Sequence, residues 1–224
     1  MKAAIFDMDG VIVDTNPHHR TAWRKYFERY GKPLTDDDFV RYVSGKHNTD
    51  ILTHLFPDRP LSGAESRQLA AEKEALFREL YLPDITPVPG LPAFLQLLRN
   101  AGMLTAVGTS APVENLDFII DALNLRSYFD VLLDESKVTR PKPDPAIYQK
   151  AMKMLGVEPH ESIIFEDSTT GIRAAKAAGA YVIGLATTES AEELLRIGAD
   201  EVIRDFTELT PERFQELRSR SVSV

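Results

Sequence analysis

Five short apolar runs constrain this chain more than any other feature. Ala3-Ala4-Ile5-Phe6, Leu104-Thr105-Ala106-Val107, Val131-Leu132-Leu133, Ser162-Ile163-Ile164-Phe165 and Tyr181-Val182-Ile183-Gly184 are too short for buried helices and lack the alternation of a half-exposed strand. They read as strands buried on both faces. Segments with helical spacing separate them: Leu91–Asn100, Pro112–Leu123, Pro145–Leu155 closed by Gly156, and Thr169–Ala178 closed by Gly179. Glu189–Ile197 and Glu201–Ile203 read as a last helix and strand. Strands alternating with helices of this length imply a parallel sheet with right-handed crossovers.

The stretch from 16 to 82 breaks the alternation. Pro17 suits a first helical turn, and Ala22, Trp23, Tyr26, Phe27 and Tyr30 recur at helical spacing until Gly31. Thr35 followed by Asp36-Asp37-Asp38 reads as an N-cap with acids at the positive end of a helix dipole. Thr49–Phe56 is a further short helix, and Ser62-x-x-Glu65 opens a long one, to about Tyr81, with a capping box. No convincing strand occurs there. The expected fold class is therefore α/β, with a Rossmann-like parallel sheet core carrying helices on both faces, formed by 1–15 and 83–224. An all-helical cap domain, 16–82, is inserted after the first strand. The tail from Arg218 is expected to fray.

Composition narrows the function. Net charge is −8, with 26 basic against 34 acidic residues, which argues against nucleic acid or an anionic membrane surface as partner. The absence of cysteine excludes disulfides, zinc–thiolate sites and thiol nucleophiles. The first strand begins at Ala3, leaving no room for a signal peptide, and no apolar run approaches the ~20 residues that span a bilayer. The expectation is a cytoplasmic protein, monomeric, acting on a small molecule.

Polar residues follow the strands where ligands of open α/β sheets bind, outside their carboxyl ends. Asp7 and Asp9 flank Met8 after the first run and are followed by Gly10. Gly108-Thr109-Ser110 follows the second run, and Glu166-Asp167-Ser168 follows the fourth. Each feature has an ordinary alternative. Acids sit commonly at strand ends, Thr109 could be a turn hydroxyl, Lys142 between two prolines a solvated loop residue, and Glu166-Asp167-Ser168 a helix cap. Taken together, three or four acids on one edge need a divalent cation. Oxygen ligands without cysteine favour Mg²⁺. A phosphate approaching such acids needs further positive charge, for which Lys142 is the candidate.

The ordered set Asp7-x-Asp9-Gly10, Gly108-Thr109-Ser110, Lys142 within Arg140-Pro141-Lys142-Pro143-Asp144-Pro145, and Phe165-Glu166-Asp167-Ser168 resembles the four motifs of the haloacid dehalogenase phosphohydrolases. Order and spacing are similar to the capped subfamily that includes β-phosphoglucomutase and sugar-phosphate phosphatases, over nearly the whole chain. The resemblance implies that Asp7 is the nucleophile and Asp9 the general acid/base. It implies that Thr109 and Lys142 hold phosphate, Lys142 also touching the nucleophile. Backbone N–H groups near Met8, Asp9 and Ser110, beside Gly10, would bind the other oxygens. The Mg²⁺ ligands it implies are Asp7, the backbone carbonyl of Asp9, and Asp167, with Glu166 ligating directly or from just behind.

In the cap, the loop Ser44-Gly45-Lys46-His47-Asn48 matches the substrate-reading loop of β-phosphoglucomutase. Where that family has an arginine gripping the second phosphate of a bisphosphate, this chain has Asn48. Lys46 or His47 could compensate, but neither offers a guanidinium fork. His19 matches a histidine that helps activate the sugar hydroxyl, and Lys73 a lysine that contacts substrate. His18 reads as a surface residue. The missing arginine favours a phosphatase of sugar phosphates over a hexose-phosphate mutase. A pyrophosphatase, a nucleotide as substrate, or a catalytically idle binding protein rank below both.

Overall fold

The computed structural model describes residues 1–43, 46 and 48–219, and it divides into two compact units, Met1–Asp14 with Ile85–Val224, and Thr15–Asp84. In the first unit β1 (Ala3–Phe6), β2 (Leu104–Gly108), β3 (Val131–Leu133), β4 (Ser162–Glu166), β5 (Tyr181–Leu185) and β6 (Glu201–Ile203) form one parallel sheet in the order β3-β2-β1-β4-β5-β6. β2 and β4 run one residue past their apolar patterns, because Gly108 still pairs with Leu133 and Glu166 with Gly184. The order reverses direction beside β1, the point where open α/β sheets present a ligand crevice. Phe6 pairs with Val107 on one side and Phe165 on the other. That register sets Asp7 level with Gly108 and Glu166, and the Asp7 N–H donates to the Phe165 carbonyl at 3.0 Å.

The second unit is built from α1 (Asn16–Glu28), α2 (Asp36–Tyr42), α3 (Asn48–Leu55) and α4 (Gly63–Tyr81), with no strand among its described residues. Capping boxes start α2 at Thr35 with Asp38 and α4 at Ser62 with Glu65. Each satisfies N–H groups that a helix start leaves orphaned. Trp23, Tyr26, Phe27, Val43, Ile51, Leu52, Leu55 and Leu76 form its core.

The remaining helices are α5 (Leu91–Asn100), α6 (Val113–Ala122), α7 (Ala146–Leu155), α8 (Thr169–Ala177), α9 (Ala191–Ile197) and α10 (Pro211–Ser219). Side-chain alternation along β1 sends Ala3 and Ile5 into a cluster with Tyr148, Ala151 and Met152 of α7 and Ile172 and Ala175 of α8. Phe6 faces the other way. It stacks on Phe165 with centroids 4.8 Å apart, and Phe94 of α5 and Phe206 close round the pair. Burying each such side chain contributes about 1.5–3 kcal/mol. α9 begins at Ala191 rather than Glu189, because the Ser190 hydroxyl caps it by accepting from the Glu193 N–H. α10 has no counterpart in the sequence reading. The sequence predicts fraying from Arg218, but Arg218 and Ser219 are the last residues of α10; beyond Ser219 the expectation falls outside the described residues. No helix among the described residues is long and apolar enough to cross a membrane.

Candidate functional site

The carboxyl ends of β1 and β4 bring Asp7, Glu166 and Asp167 together. Each offers a carboxylate oxygen, and the three oxygens lie within 4.8 Å of one another. All three residues are buried, with Glu166 at 0% exposure. Lys142, expected as a solvated loop residue if it had no site to serve, is buried as well. Its Nζ lies 3.1 Å from Asp7 Oδ1 and 2.5 Å from Glu166 Oε1. Asp7 Oδ1 meets the ammonium as an ion pair without an aligned hydrogen bond, so it retains acceptor capacity toward the site.

Glu166 is engaged on both oxygens. Oε1 accepts from Lys142 and, at 2.6 Å, from the Tyr148 hydroxyl. Oε2 accepts from the Asp167 N–H at 3.0 Å, the Ser168 N–H at 3.2 Å and Ser168 Oγ at 3.1 Å. Five donors fill a carboxylate that has about four lone-pair sites. Ser168 also caps α8 by accepting from the Gly171 N–H, so the capping alternative and the site share one segment. Glycine is required at two places. A Cβ on Gly171 would lie 1.8 Å from Glu166 Oε1, and one on Gly10, where φ is +73°, would lie 1.9 Å from Asp167 Oδ2.

Electrostatics follow from burial and crowding. Burial pushes the Asp7 carboxyl up to about 7, opposed by Lys142 and reinforced by Glu166 and Asp9. Burial, with Glu166 and Asp7 beside it, raises Asp167 well above the usual carboxylate range. Glu166 goes the other way. Burial pushes it up, but Lys142, Tyr148 and the Ser168 N–H together hold it below its ordinary value. Lys142 is raised: burial disfavours its charge, and Asp7 and Glu166 outweigh that. Ionised together, the three carboxylates would exceed the one ammonium by two negative charges, and the donors are all oxygen. That set fits a hard divalent cation such as Mg²⁺.

Asp9 is half-buried in the turn after β1, where the Gly10 N–H donates to the Val13 carbonyl at 2.7 Å. Thr109 is buried at the end of β2; its N–H donates to the Leu133 carbonyl and its Oγ1 accepts from the Ala111 N–H at 3.0 Å. Ser110 beside it is exposed. Arg140 is exposed and pairs with Asp144. Sequence reasoning missed Thr187, whose hydroxyl donates to the Gly10 carbonyl at 2.6 Å, and Thr188, whose hydroxyl donates to Asp167 Oδ2. Both follow β5, so the strand-end rule that found Thr109 could have found them. Tyr148 was missed too, because its helical spacing reads as core.

The helical unit holds a second buried polar cluster. Lys73 Nζ lies 2.8 Å from His19 Nδ1 and donates to Glu74 Oε1 at 2.9 Å. Asn48, the first residue of α3, donates its Nδ2 to the same Glu74 oxygen at 2.8 Å. The His19 ring stacks on Phe77 at 3.8 Å, and the Lys73 ammonium lies 4.9 Å from the Trp23 ring. Burial, with the Lys73 charge beside it, pushes His19 down to about 3, so its ring is neutral near pH 7. Accepting from an ammonium at Nδ1 puts the proton on Nε2. Glu74 was not foreseen. Its neighbour Lys73 was, as the match of a lysine that contacts substrate, and it is buried. Lys46 is exposed and lies 5.8 Å from the Tyr42 ring, while His18 is half-buried and pairs with Asp84. His47 lies outside the described residues, as do Ser44 and Gly45 of its loop.

Comparison with known proteins now places the chain. The haloacid dehalogenase-like hydrolase family matches residues 4–185. The phosphorylated carbohydrates phosphatase of Thermotoga maritima is 35% identical over 181 residues, covering 80% of this chain and 82% of that one. β-Phosphoglucomutase of Bacillus subtilis is 31% identical over 225 residues, covering 96% and 95%. A solved HAD hydrolase, family IA, variant 3, from Entamoeba histolytica is similar at a TM-score of 0.90 and 31% identity, covering 98% of this chain and 100% of that one. The chain belongs to the haloacid dehalogenase-like hydrolases. Within them it is a β-phosphoglucomutase-like enzyme, a phosphohydrolase or phosphotransferase.

Proposed function

We propose that the protein is a Mg²⁺-dependent phosphatase that hydrolyses a small phosphorylated metabolite, a sugar phosphate, through an aspartyl-phosphate. The observation that carries this reading is Asp7, a buried carboxylate with an unbonded oxygen, paired to Lys142 among two further acids. Asp7 attacks phosphorus, and the bond to the leaving oxygen breaks as Asp9 gives it a proton. Asp9 then takes a proton from water, whose oxygen attacks phosphorus and frees Asp7 and inorganic phosphate. Lys142 offsets charge on the phosphoryl oxygens. The Thr109 hydroxyl and the N–H groups after Asp7 orient those oxygens. Asp7, Asp167 and the Asp9 carbonyl would hold Mg²⁺, with Glu166 anchoring Lys142 behind them. Bound there, Mg²⁺ supplies charge neutralisation at the phosphoryl oxygens.

Hydrolysis is preferred to mutase chemistry because of the helical unit. Asn48 contributes no positive charge, and Lys73 is paired with Glu74. Among the described residues the cluster holds one ammonium, one carboxylate, a neutral histidine and an amide, which suits uncharged hydroxyls better than a second phosphate. The retained pairing of His19 with Lys73 is what favours the alternative, a hexose-phosphate mutase. The test is phosphate release from a panel of sugar phosphates, pyrophosphate and nucleotides, with Mg²⁺ and with EDTA. Mg²⁺-dependent release from sugar monophosphates is the expected result. Isomerisation of β-glucose 1-phosphate to glucose 6-phosphate, primed by a bisphosphate and without net phosphate release, would establish the mutase instead.

A further inference from the structure

We propose that Tyr148 is a positioning residue of this site, its hydroxyl bond to Glu166 Oε1 keeping Lys142 shared with Asp7. The inference rests on the phosphatase reading above and concerns a side chain that reading does not use. Tyr148 lies in the first turn of α7, six residues after Lys142, and is 0% exposed. A buried phenol needs a partner for its proton, and this one donates to Glu166 Oε1 at 2.6 Å.

That oxygen is the one on which Lys142 also rests, at 2.5 Å. The other oxygen of Glu166 is tied down by the Asp167 and Ser168 N–H groups and the Ser168 hydroxyl. Rotating the carboxylate would break three bonds, and Gly171 packs where no Cβ fits. Glu166 is therefore fixed, and only the sharing of Oε1 can vary. An ammonium lying between two carboxylates moves toward the more electron-rich one. Donation from Tyr148 withdraws charge from Oε1 and leaves Lys142 able to face Asp7 at 3.1 Å. The ring acts in the same sense. Its centroid lies 4.7 Å from Lys142 Nζ, a cation–π distance that limits sideways movement of the ammonium. The ring itself belongs to the buried cluster that includes Ala106 of β2 and Leu133 of β3. It is held from the sheet side as well.

Removing the hydroxyl while keeping the ring isolates the effect. Tyr148→Phe should lower kcat for the phosphorylated substrate about 10- to 100-fold, the range for a hydrogen bond to a charged group. KM should stay within about twofold, since Tyr148 touches no substrate. In a Glu166→Gln background the same change should cost far less, because the oxygen it tempers no longer carries charge. Replacing Tyr148 by 3-fluorotyrosine and 3,5-difluorotyrosine keeps the fold even if the phenylalanine variant does not. Across that series kcat should change with phenol acidity while KM does not, which a space-filling role would not produce. Wild-type kcat in a folded Tyr148→Phe, a loss carried by KM, or additivity with Glu166→Gln would each overturn the proposal and leave the phosphatase reading standing. A wild-type protein that releases phosphate from no member of the panel would overturn that reading and this inference with it.

Discussion

Two lysines are buried among the described residues, one in each unit, and their surroundings differ in charge. Lys142 sits among Asp7, Glu166 and Asp167, a cluster with more negative charge than it can offset. Lys73 sits between Glu74 and a neutral His19, where the charges of the described residues balance. Burying a balanced pair with its hydrogen bonds made is compatible with stability; burying like charges together is not. The α/β unit thus carries a local instability that a bound cation would relieve, as expected of a reactive centre. The cluster around Lys73 shows no such excess of negative charge among its described residues.

The sharpest break between the two clusters is chemical. Asp7→Asn should reduce phosphate release about 10⁴-fold or more, the scale of losing a nucleophile. The far-ultraviolet circular dichroism should not change. Residual turnover within tenfold of wild type would place the chemistry elsewhere.

Stability should separate the clusters with opposite signs. Glu74→Ala leaves the Lys73 ammonium buried without its carboxylate and should cost about 3–5 kcal/mol. Asp167→Asn, measured in EDTA, removes one of three crowded carboxylates and should raise stability by about 1–2 kcal/mol, the stability–activity trade-off of a strained site. Urea denaturation of both variants measures this. If Asp167→Asn destabilises the metal-free protein as Glu74→Ala does, the contrast between the clusters fails.

How much of that contrast was legible beforehand depends on distance along the chain. Asp7-x-Asp9-Gly10 and Glu166-Asp167-Ser168 stand out because a strand ends abruptly in acids, a local pattern. The alternation of runs and helices fixes their shared edge, and the register of β1 with β2 and β4 then follows. The capping box at Ser62 is likewise local. Glu74 and Tyr148 were hidden for one common reason. An acid beside a lysine on a helix reads as solvated, and an aromatic at helical spacing reads as core. Only packing of distant segments shows otherwise: α1 and α3 over Lys73 and Glu74, and Glu166 eighteen residues from Tyr148. α10 escaped because Phe214 and Leu217 alone are buried in it, too sparse a stripe to register as periodicity.

A smaller effect lies in pH. Without metal, Asp7 has a folded value of about 7 against an ordinary 3.8. From about pH 4 to 7 the folded protein holds a proton that the unfolded chain has released, so stability falls as pH rises through that window. Asp167 shifts in the same direction. Mg²⁺ favours the ionised acids and should raise the melting temperature more at pH 8 than at pH 5. Equal increments at both pH values would mean that the acids are already ionised and accommodated without a cation. The balanced cluster of the helical unit offers no such window near neutrality, since His19 remains neutral well below pH 5.

The smallest expected change tests the helical unit alone. Asn48 donates one bond to Glu74 and adds no charge. Asn48→Arg would keep a donor beside that carboxylate and add a guanidinium whose remaining N–H groups can grip a phosphate in a fork. The cluster would change from balanced to positive. Competition by sugar bisphosphates against hydrolysis of a monophosphate should then strengthen about tenfold, the worth of one charge-assisted contact at a partly exposed site. Turnover of the monophosphate itself should change little, because nothing among Asp7, Lys142, Glu166 and Asp167 is altered. Should Asn48→Arg leave bisphosphate inhibition unchanged while Glu74→Gln strengthens it, the discriminating charge belongs to Glu74, whose carboxylate would be screening Lys73. Should neither variant alter it, the cluster is a structural brace of the helices and selects nothing.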